Sequence, residues 1–341
     1  MNQLSSSPRT TFSRMEPAQR VAVVTNPRAC AKVPRQWWRN ATAALHSAAV
    51  VCAEVETRGG GGNVDRITRL IEETRPQTVT AAGGDGTVSE VVQGIMQARV
   101  TPLPALAIIP LGTANDVARS LGLHSWRRGG QAAIDIAVTT VLNGFERRID
   151  LGQVDGRYFV GSFAVGMDAD ILCWRNRYHD KIRPQALRGY PLYLLSCAVN
   201  LLRPHGGAAR LCVDGATHTA AVYNLLITNT PIYAGEFRFD AREHVDDGRL
   251  DLQLFTGPLG YLAGFPAAWL RHLRYNRGRS VQPPRQLQRV RTVDVELDAA
   301  VVAQLDGEEF GRASGYRIRV VPQALTVRVP RVASTSNRDM V

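Results

Sequence analysis

Three short segments of this sequence hold residues whose types and spacing suit phosphate chemistry. The first is Thr80-Ala81-Ala82-Gly83-Gly84-Asp85-Gly86-Thr87-Val88-Ser89. Its glycines let backbone approach a ligand closely, and free N–H groups at the start of a following helix attract phosphate. The order fits neither G-x-G-x-x-G nor G-x-x-x-x-G-K-[ST], the two common nucleotide fingerprints. Asp85 is the informative departure. A carboxylate in an anion cradle repels phosphate unless it holds a cation, and Mg²⁺ reconciles the two. The plainer alternative is a glycine turn in which Asp85 caps its own helix.

The second segment, Ile109-Pro110-Leu111-Gly112-Thr113-Ala114-Asn115-Asp116, again sets a glycine, a hydroxyl and an acid after an apolar run. Read plainly, Asn115 caps a helix and Asp116 favours its dipole. The third, Leu305-Asp306-Gly307-Glu308, puts two acids around a glycine. A turn between strands accounts for Asp306-Gly307 but not for Glu308.

The elements that must position these residues alternate in the first half of the chain. Val21–Thr25, Val50–Thr57, Gln77–Ala82 and Leu106–Pro110 read as strands. Helical patterns follow them over Arg35–Ser47, Val64–Thr74, Thr87–Ala98 and Asn115–Leu121. Repeated strand–helix units imply a parallel sheet with helices on both faces, and both glycine loops then emerge at one edge, where ligands collect. After Asp150 the character changes. Segments 157–166, 217–229, 249–256, 292–305 and 316–329 read as strands joined by Gly and Asp-Gly turns, with helical inserts near 187–202 and 258–275. The expected architecture is α/β plus β: an N-terminal α/β nucleotide-binding domain over 17–147 and an antiparallel β-sandwich over 148–330. The ends, 1–16 and 331–341, read as disordered.

Composition sets the outer limits. A chain of 341 residues with 45% hydrophobic and 21% charged content supplies two cores. The net charge is +11, nearly all from arginine, since Lys32 and Lys181 are the only lysines. A basic chain favours anionic surfaces, but no nucleic-acid signature accompanies the charge. Scattered Cys30, Cys52, Cys173, Cys197 and Cys212 suit reduced thiols rather than a disulfide framework. Met1–Arg20 lacks the apolar core of a secretory signal, and Leu192–Leu202 is too short to span a bilayer. A cytoplasmic protein is expected. Oligomeric state stays open, a homodimer included.

Gly83-Gly84-Asp85-Gly86-Thr87 together with Pro110-Leu111-Gly112-Thr113-Ala114-Asn115-Asp116 resembles the catalytic domain of diacylglycerol and sphingoid-base kinases. NAD kinases and phosphofructokinases share the first element; the second separates the lipid kinases. The likeness runs from about Val21 to Val329 and implies a two-domain enzyme with its active site between an α/β domain and a β-sandwich. It implies ATP bound by Gly83 through Ser89, with contacts from Thr113 and from Thr57 after the second strand. The nearby Gly59–Gly62 turn suits either phosphate approach or a plain linker. It also implies Glu308 as proton acceptor for a lipid hydroxyl, facing the first domain's loops. Mg²⁺ would be held by Asp85 with Asp116 or Asp150, the last of which reads equally as a salt-bridge partner of Arg147 or Arg148. A structural Mg²⁺ is implied at Asp247, with the carbonyls of His244 and Arg249, although Asp247-Gly248 also reads as a hairpin turn. This chain departs from the pattern at Arg28-Ala29-Cys30, where Ser-Gly usually follows, and at Ser89, where Asn is usual.

Membrane contact is a separate expectation. Leu187–Leu202 and the helix over Tyr261–Tyr275, with Trp269 and Leu270 beside Arg271 and Arg274, suit peripheral docking on an anionic inner membrane face. They suit an ordinary core face with a charged rim as well. His179, His205 and His272 lack metal spacing and are expected at the surface. The function expected is Mg²⁺- and ATP-dependent phosphorylation of a lipid hydroxyl. An NAD kinase-like enzyme and a non-catalytic nucleotide or lipid sensor are the alternatives.

Overall fold

A computed structural model describes residues 20–331 apart from 49, 180, 183–189, 202, 204, 240–243, 283, 285 and 286. The expected disordered ends lie outside the described residues, save Arg331, whose guanidinium donates to the Asn143 carbonyl at 2.6 Å. Residues 187–189, the expected start of the first helical insert, also lie outside them.

Four parallel strands build the first sheet: β1 (Arg20–Thr25), β2 (Val50–Glu56), β3 (Thr78–Gly83) and β4 (Ala105–Pro110), in the order β2-β1-β3-β4. Every residue of β3 and β4 is buried, as a sheet covered on both faces requires. The helices are α1 (Pro27–Cys30), α2 (Arg35–Ala48), α3 (Asn63–Thr74), α4 (Asp85–Gln97), α5 (Asp116–Ser120) and α6 (Trp126–Asn143). α3 packs on α4 and α2 on α6, and both pairs touch the sheet. The alternation read from the sequence is present; α6 was not foreseen.

The rest of the chain forms β5 (Phe145–Val154), β6 (Arg157–Phe159), β7 (Ser162–Gly166), α7 (Met167–His179), α8 (Tyr190–Asn200), β8 (Gly207–Val213), β9 (Ala216–Val222), β10 (Asn224–Thr228), β11 (Leu250–Phe255), α9 (Pro258–Asn276), β12 (Gln288–Val290), β13 (Thr292–Leu305) and β14 (Glu308–Val329). The antiparallel path runs β12-β11-β10-β7-β13-β14, with β8-β9 attached to β13 and β5-β6 to β14. A register shift between Glu296 and Val301 bends β13, so its first half pairs with β8 and its end with β7. That bend lets one strand serve both layers of the sandwich. Phe159, Phe163 and Tyr316 are fully buried between the layers. α7, α8 and α9 cover an outer face through an aromatic cluster that includes Phe239, Phe255, Tyr261 and Phe265.

The expected strand 157–166 breaks at Val160-Gly161, and 217–229 breaks at Tyr223. β5, β8 and α7 were missed. The two units are joined by more than a linker. β14 pairs antiparallel from Ile318 onward with nearly the whole of β5, and Val327 pairs in parallel with Leu106 of β4. Leu325 and Val327 thereby bury in the core of the first unit.

Candidate active site

Two glycines bring the first two segments together. The loop after β3 and the loop after β4 touch backbone to backbone: a Cβ on Gly112 would lie 2.4 Å from the Gly84 Cα, and one on Gly84 would lie 3.1 Å from the Gly112 Cα. Leu111 N–H donates to the Gly83 carbonyl at 2.8 Å. Asn115, with φ of +52°, does not cap α5 through its side chain. Its amide closes the loop instead, accepting from Gly112 N–H at 2.9 Å and donating to the Gly112 carbonyl at 3.0 Å.

The acids sit at this junction. Asp85, the first residue of α4, accepts from Val117 N–H across the junction at 3.3 Å, so it ties the loops rather than capping its own helix. Burial pushes its carboxyl above the ordinary range, against the pull of the N–H groups of Val117, Asn115 and Asp116. Asp116 is pushed up further, by burial first and by the charge of Asp85 second, with Arg119 opposing. Like charges in one crevice disfavour joint ionisation. A divalent cation with hard oxygen ligands relieves that conflict, so this pair fits Mg²⁺.

A loop that the sequence did not flag completes the crevice. Asp116 Oδ1 accepts from Gly235 N–H at 2.8 Å, and Arg119 donates to the Gly235 carbonyl. Gly235 has φ of +80° and lies against Ala114. Its neighbour Tyr233 reaches Asp168, a buried carboxylate that also receives Tyr261 O–H at 2.6 Å and the Asn224 amide at 2.8 Å. Only a Gly in a turn marks Gly235 in the sequence, and Asp168 stands in no motif. Arg119 donates also to His272 Nε2 at 3.2 Å. Burial, then Arg119, hold the His272 ring down to about 4, so it is neutral and can accept.

Glu308 enters from the second unit. Its Oε1 lies 3.2 Å from where a Cβ on Gly86 would stand. The turn that presents it has φ of +49° at Asp306 and +82° at Gly307, the left-handed pair of a tight hairpin. Asp306 locks that turn by accepting from Val160, Gly161 and Ser162 N–H at 3.1, 2.8 and 2.9 Å. Ser89 also bonds to Asp306, so the residue that departs from the family's Asn clasps α4 to the turn. Desolvation raises the Glu308 carboxyl, helped by Glu90 and Glu309 and opposed by Arg175.

The remaining residues divide. Asn26 caps α1 and donates to Thr87 Oγ1 at 3.2 Å, so the altered residues after Pro27 leave that link intact. Thr57 N–H continues the β1–β2 ladder at 2.8 Å. Gly60, Gly61 and Gly62 all have positive φ, and Asn63 ties their turn to Glu90 at 2.8 Å. Thr113 is exposed on the second loop, and Val88 is buried beneath the first.

Asp150, the alternative acid expected at the Mg²⁺, has no exposure, and its two oxygens accept from Gly248 N–H at 2.6 Å and Gln323 N–H at 2.7 Å. That carboxylate buckles β5 to two turns, and Arg147 pairs with Asp246 at 2.9 Å rather than with Asp150. At the turn expected to hold a structural Mg²⁺, Asp247 accepts from Arg249 N–H at 3.0 Å and pairs with the Arg289 guanidinium. His244 is exposed. Two histidines expected at the surface are buried: His205, bonded to Asp170 at 2.5 Å, and His272.

Comparison with known proteins follows the same division. Residues 20–154 match the diacylglycerol kinase catalytic domain, and residues 161–329 match the YegS C-terminal NAD kinase beta sandwich-like domain. The chain is 31% identical over 176 residues to the diacylglycerol kinase of Bacillus subtilis (strain 168), an alignment covering 52% of this chain and 54% of that protein. It is 29% identical over 272 residues to a Pseudomonas aeruginosa protein named "Probable lipid kinase YegS-like", covering 77% of this chain and 80% of the other. A crystal structure of a diacylglycerol kinase from Bacillus anthracis str. Sterne superposes with a TM-score of 0.64 at 16% identity, covering 93% and 99% of the two chains. That likeness is one of fold.

Proposed function

Because the chain belongs to the family of kinases that join a diacylglycerol kinase catalytic domain to a YegS-type C-terminal β-sandwich, we propose that it transfers the γ-phosphate of ATP to a hydroxyl group on a lipid. The observation that carries this reading is Glu308 Oε1 lying against Gly86. It brings a carboxylate of raised basicity from one domain to the phosphate loop of the other.

In this reading Gly83 through Ser89 receive the ATP phosphates on the N–H groups opening α4, with Thr113 and Thr57 at the margins. Asp85 and Asp116 would hold Mg²⁺, which would neutralise charge on the phosphates. Glu308 accepts the proton of the lipid hydroxyl while that oxygen bonds to the γ-phosphorus. The bond to the β–γ bridging oxygen breaks, and ADP leaves with the electron pair. No Walker lysine is present. Arg119, hydrogen-bonded to the loop that holds Asp116, is a candidate for that task.

The test is transfer of labelled phosphate from ATP, with Mg²⁺, to diacylglycerol, a sphingoid base, phosphatidylglycerol and, as a control, NAD. Transfer to at least one lipid and none to NAD is expected. Glu308→Gln should lower kcat by roughly 10²–10⁴-fold with little change in ATP binding; wild-type rates in that variant would end this reading.

A further inference from the structure

Helix α9 has two faces. Tyr261, Phe265, Ala268 and His272 are buried on one. The other presents Leu259 at 81% exposure, Leu262 at 48%, Trp269 at 44% and Leu270 at 51%. α8, packed on the same aromatic cluster, adds Leu194 and Leu195 at 50% each. Large apolar side chains concentrated this way mark a contact surface. Beyond them the stretch turns cationic, with exposed Arg274, Arg277 and Arg279, and it holds no acid between Pro258 and Gln282.

We infer that this face of α9, supported by α8, docks the protein on an anionic lipid bilayer. An apolar stripe that passes into arginines matches the boundary between acyl chains and acidic headgroups. No described helix is long and apolar enough to cross a membrane, so α9 lies in the interface plane. A second copy of the chain is a poorer occupant. Two-fold pairing of this face would set the arginines of both copies together, with no acid in the stretch to receive them.

The inner face of α9 explains what docking achieves, and that step rests on the lipid-acceptor reading above. Arg238 N–H donates to the Ala268 carbonyl at 3.2 Å, and His272 accepts from Arg119 at 3.2 Å. Arg119 and Asp116 both grip Gly235. A helix seated on the bilayer thus holds the crevice beside the surface where lipid hydroxyls lie.

The experiment is co-sedimentation of the full chain, without ATP, with vesicles of phosphatidylcholine alone or mixed with phosphatidylglycerol. The wild type should bind the mixed vesicles, and added salt should weaken it. Leu262→Ser with Trp269→Ser and Leu270→Ser should reduce binding by about tenfold or more. Arg274→Gln with Arg277→Gln and Arg279→Gln should remove the preference for phosphatidylglycerol. Both triple variants should keep the wild-type far-UV circular dichroism and transfer phosphate to lipid in detergent micelles. The inference is overturned if the apolar triple sediments as wild type. It is also overturned if the wild type ignores vesicles and forms a dimer that this triple dissolves. Absence of phosphate transfer by a chain that does bind vesicles counts against the kinase reading alone.

Discussion

Asp85 and Asp116 share a crevice in which burial raises both carboxyls and the charge of Asp85 raises Asp116 further. A carboxyl raised on folding binds its proton more tightly in the folded chain than in the unfolded one. Its cost is therefore absent below the unfolded range, about pH 4, and grows as pH climbs through the raised values. The ligand-free chain should lose stability over that rise. Asp116→Asn removes one of the two charges, so it should flatten the loss and raise the melting temperature near neutral pH by about 2 °C. The same change should abolish most phosphate transfer. Calorimetry between pH 4 and 8 beside a transfer assay reads both, and a melting temperature below wild type at pH 7 contradicts the argument. Mg²⁺ should narrow the difference between the two chains, because it relieves the same repulsion.

At the scale of elements, the crevice depends on two strand–loop–helix units standing closer than side chains allow. A Cβ on Gly112 meets backbone at 2.4 Å and the Asn115 amide at 2.8 Å, neither of which yields as the tip of a flexible side chain would. Gly112→Ala should cost about 1–3 kcal/mol and weaken ATP binding with it, read by denaturant titration and by nucleotide titration. This part of the site was legible because its chemistry sits in local runs: Gly83 to Ser89 and Pro110 to Asp116 each lie between an apolar strand and a helix. Glu308 was legible only by likeness, since nothing local says where a hairpin points. Gly235 was not legible at all, because one backbone N–H aimed at Asp116 leaves no side-chain pattern. The ligand role expected of Asp150 came from likeness alone, and nothing local in the sequence shows the two amides, Gly248 and Gln323, that its oxygens meet. α7 escaped notice because its buried residues, Met167, Asp168, Ala169, Ile171 and Leu172, crowd its first turns rather than lining one stripe. The buried His272 was misjudged since its partner, Arg119, lies 153 residues away.

For the molecule as a whole, β14 decides how independent the two units are. It closes the sandwich against β13, pairs with β5, and reaches β4 through Val327. Residues 20–144 expressed alone would leave the outer edge of β4 unpaired and strip Leu325 and Val327 from the first core. Burying two such side chains contributes roughly 3–6 kcal/mol, a large share of ordinary domain stability. That fragment should therefore show weak hydrogen-exchange protection in β3 and β4 compared with the full chain. Equal protection would mean that the first unit stands unaided. The twin passage of β5 outward and β14 back has a mechanical sequel. One two-stranded ribbon crossing between the halves should resist being pulled apart along its strands yet yield to twist, so the two halves should turn slightly against each other with the overall radius of gyration almost constant.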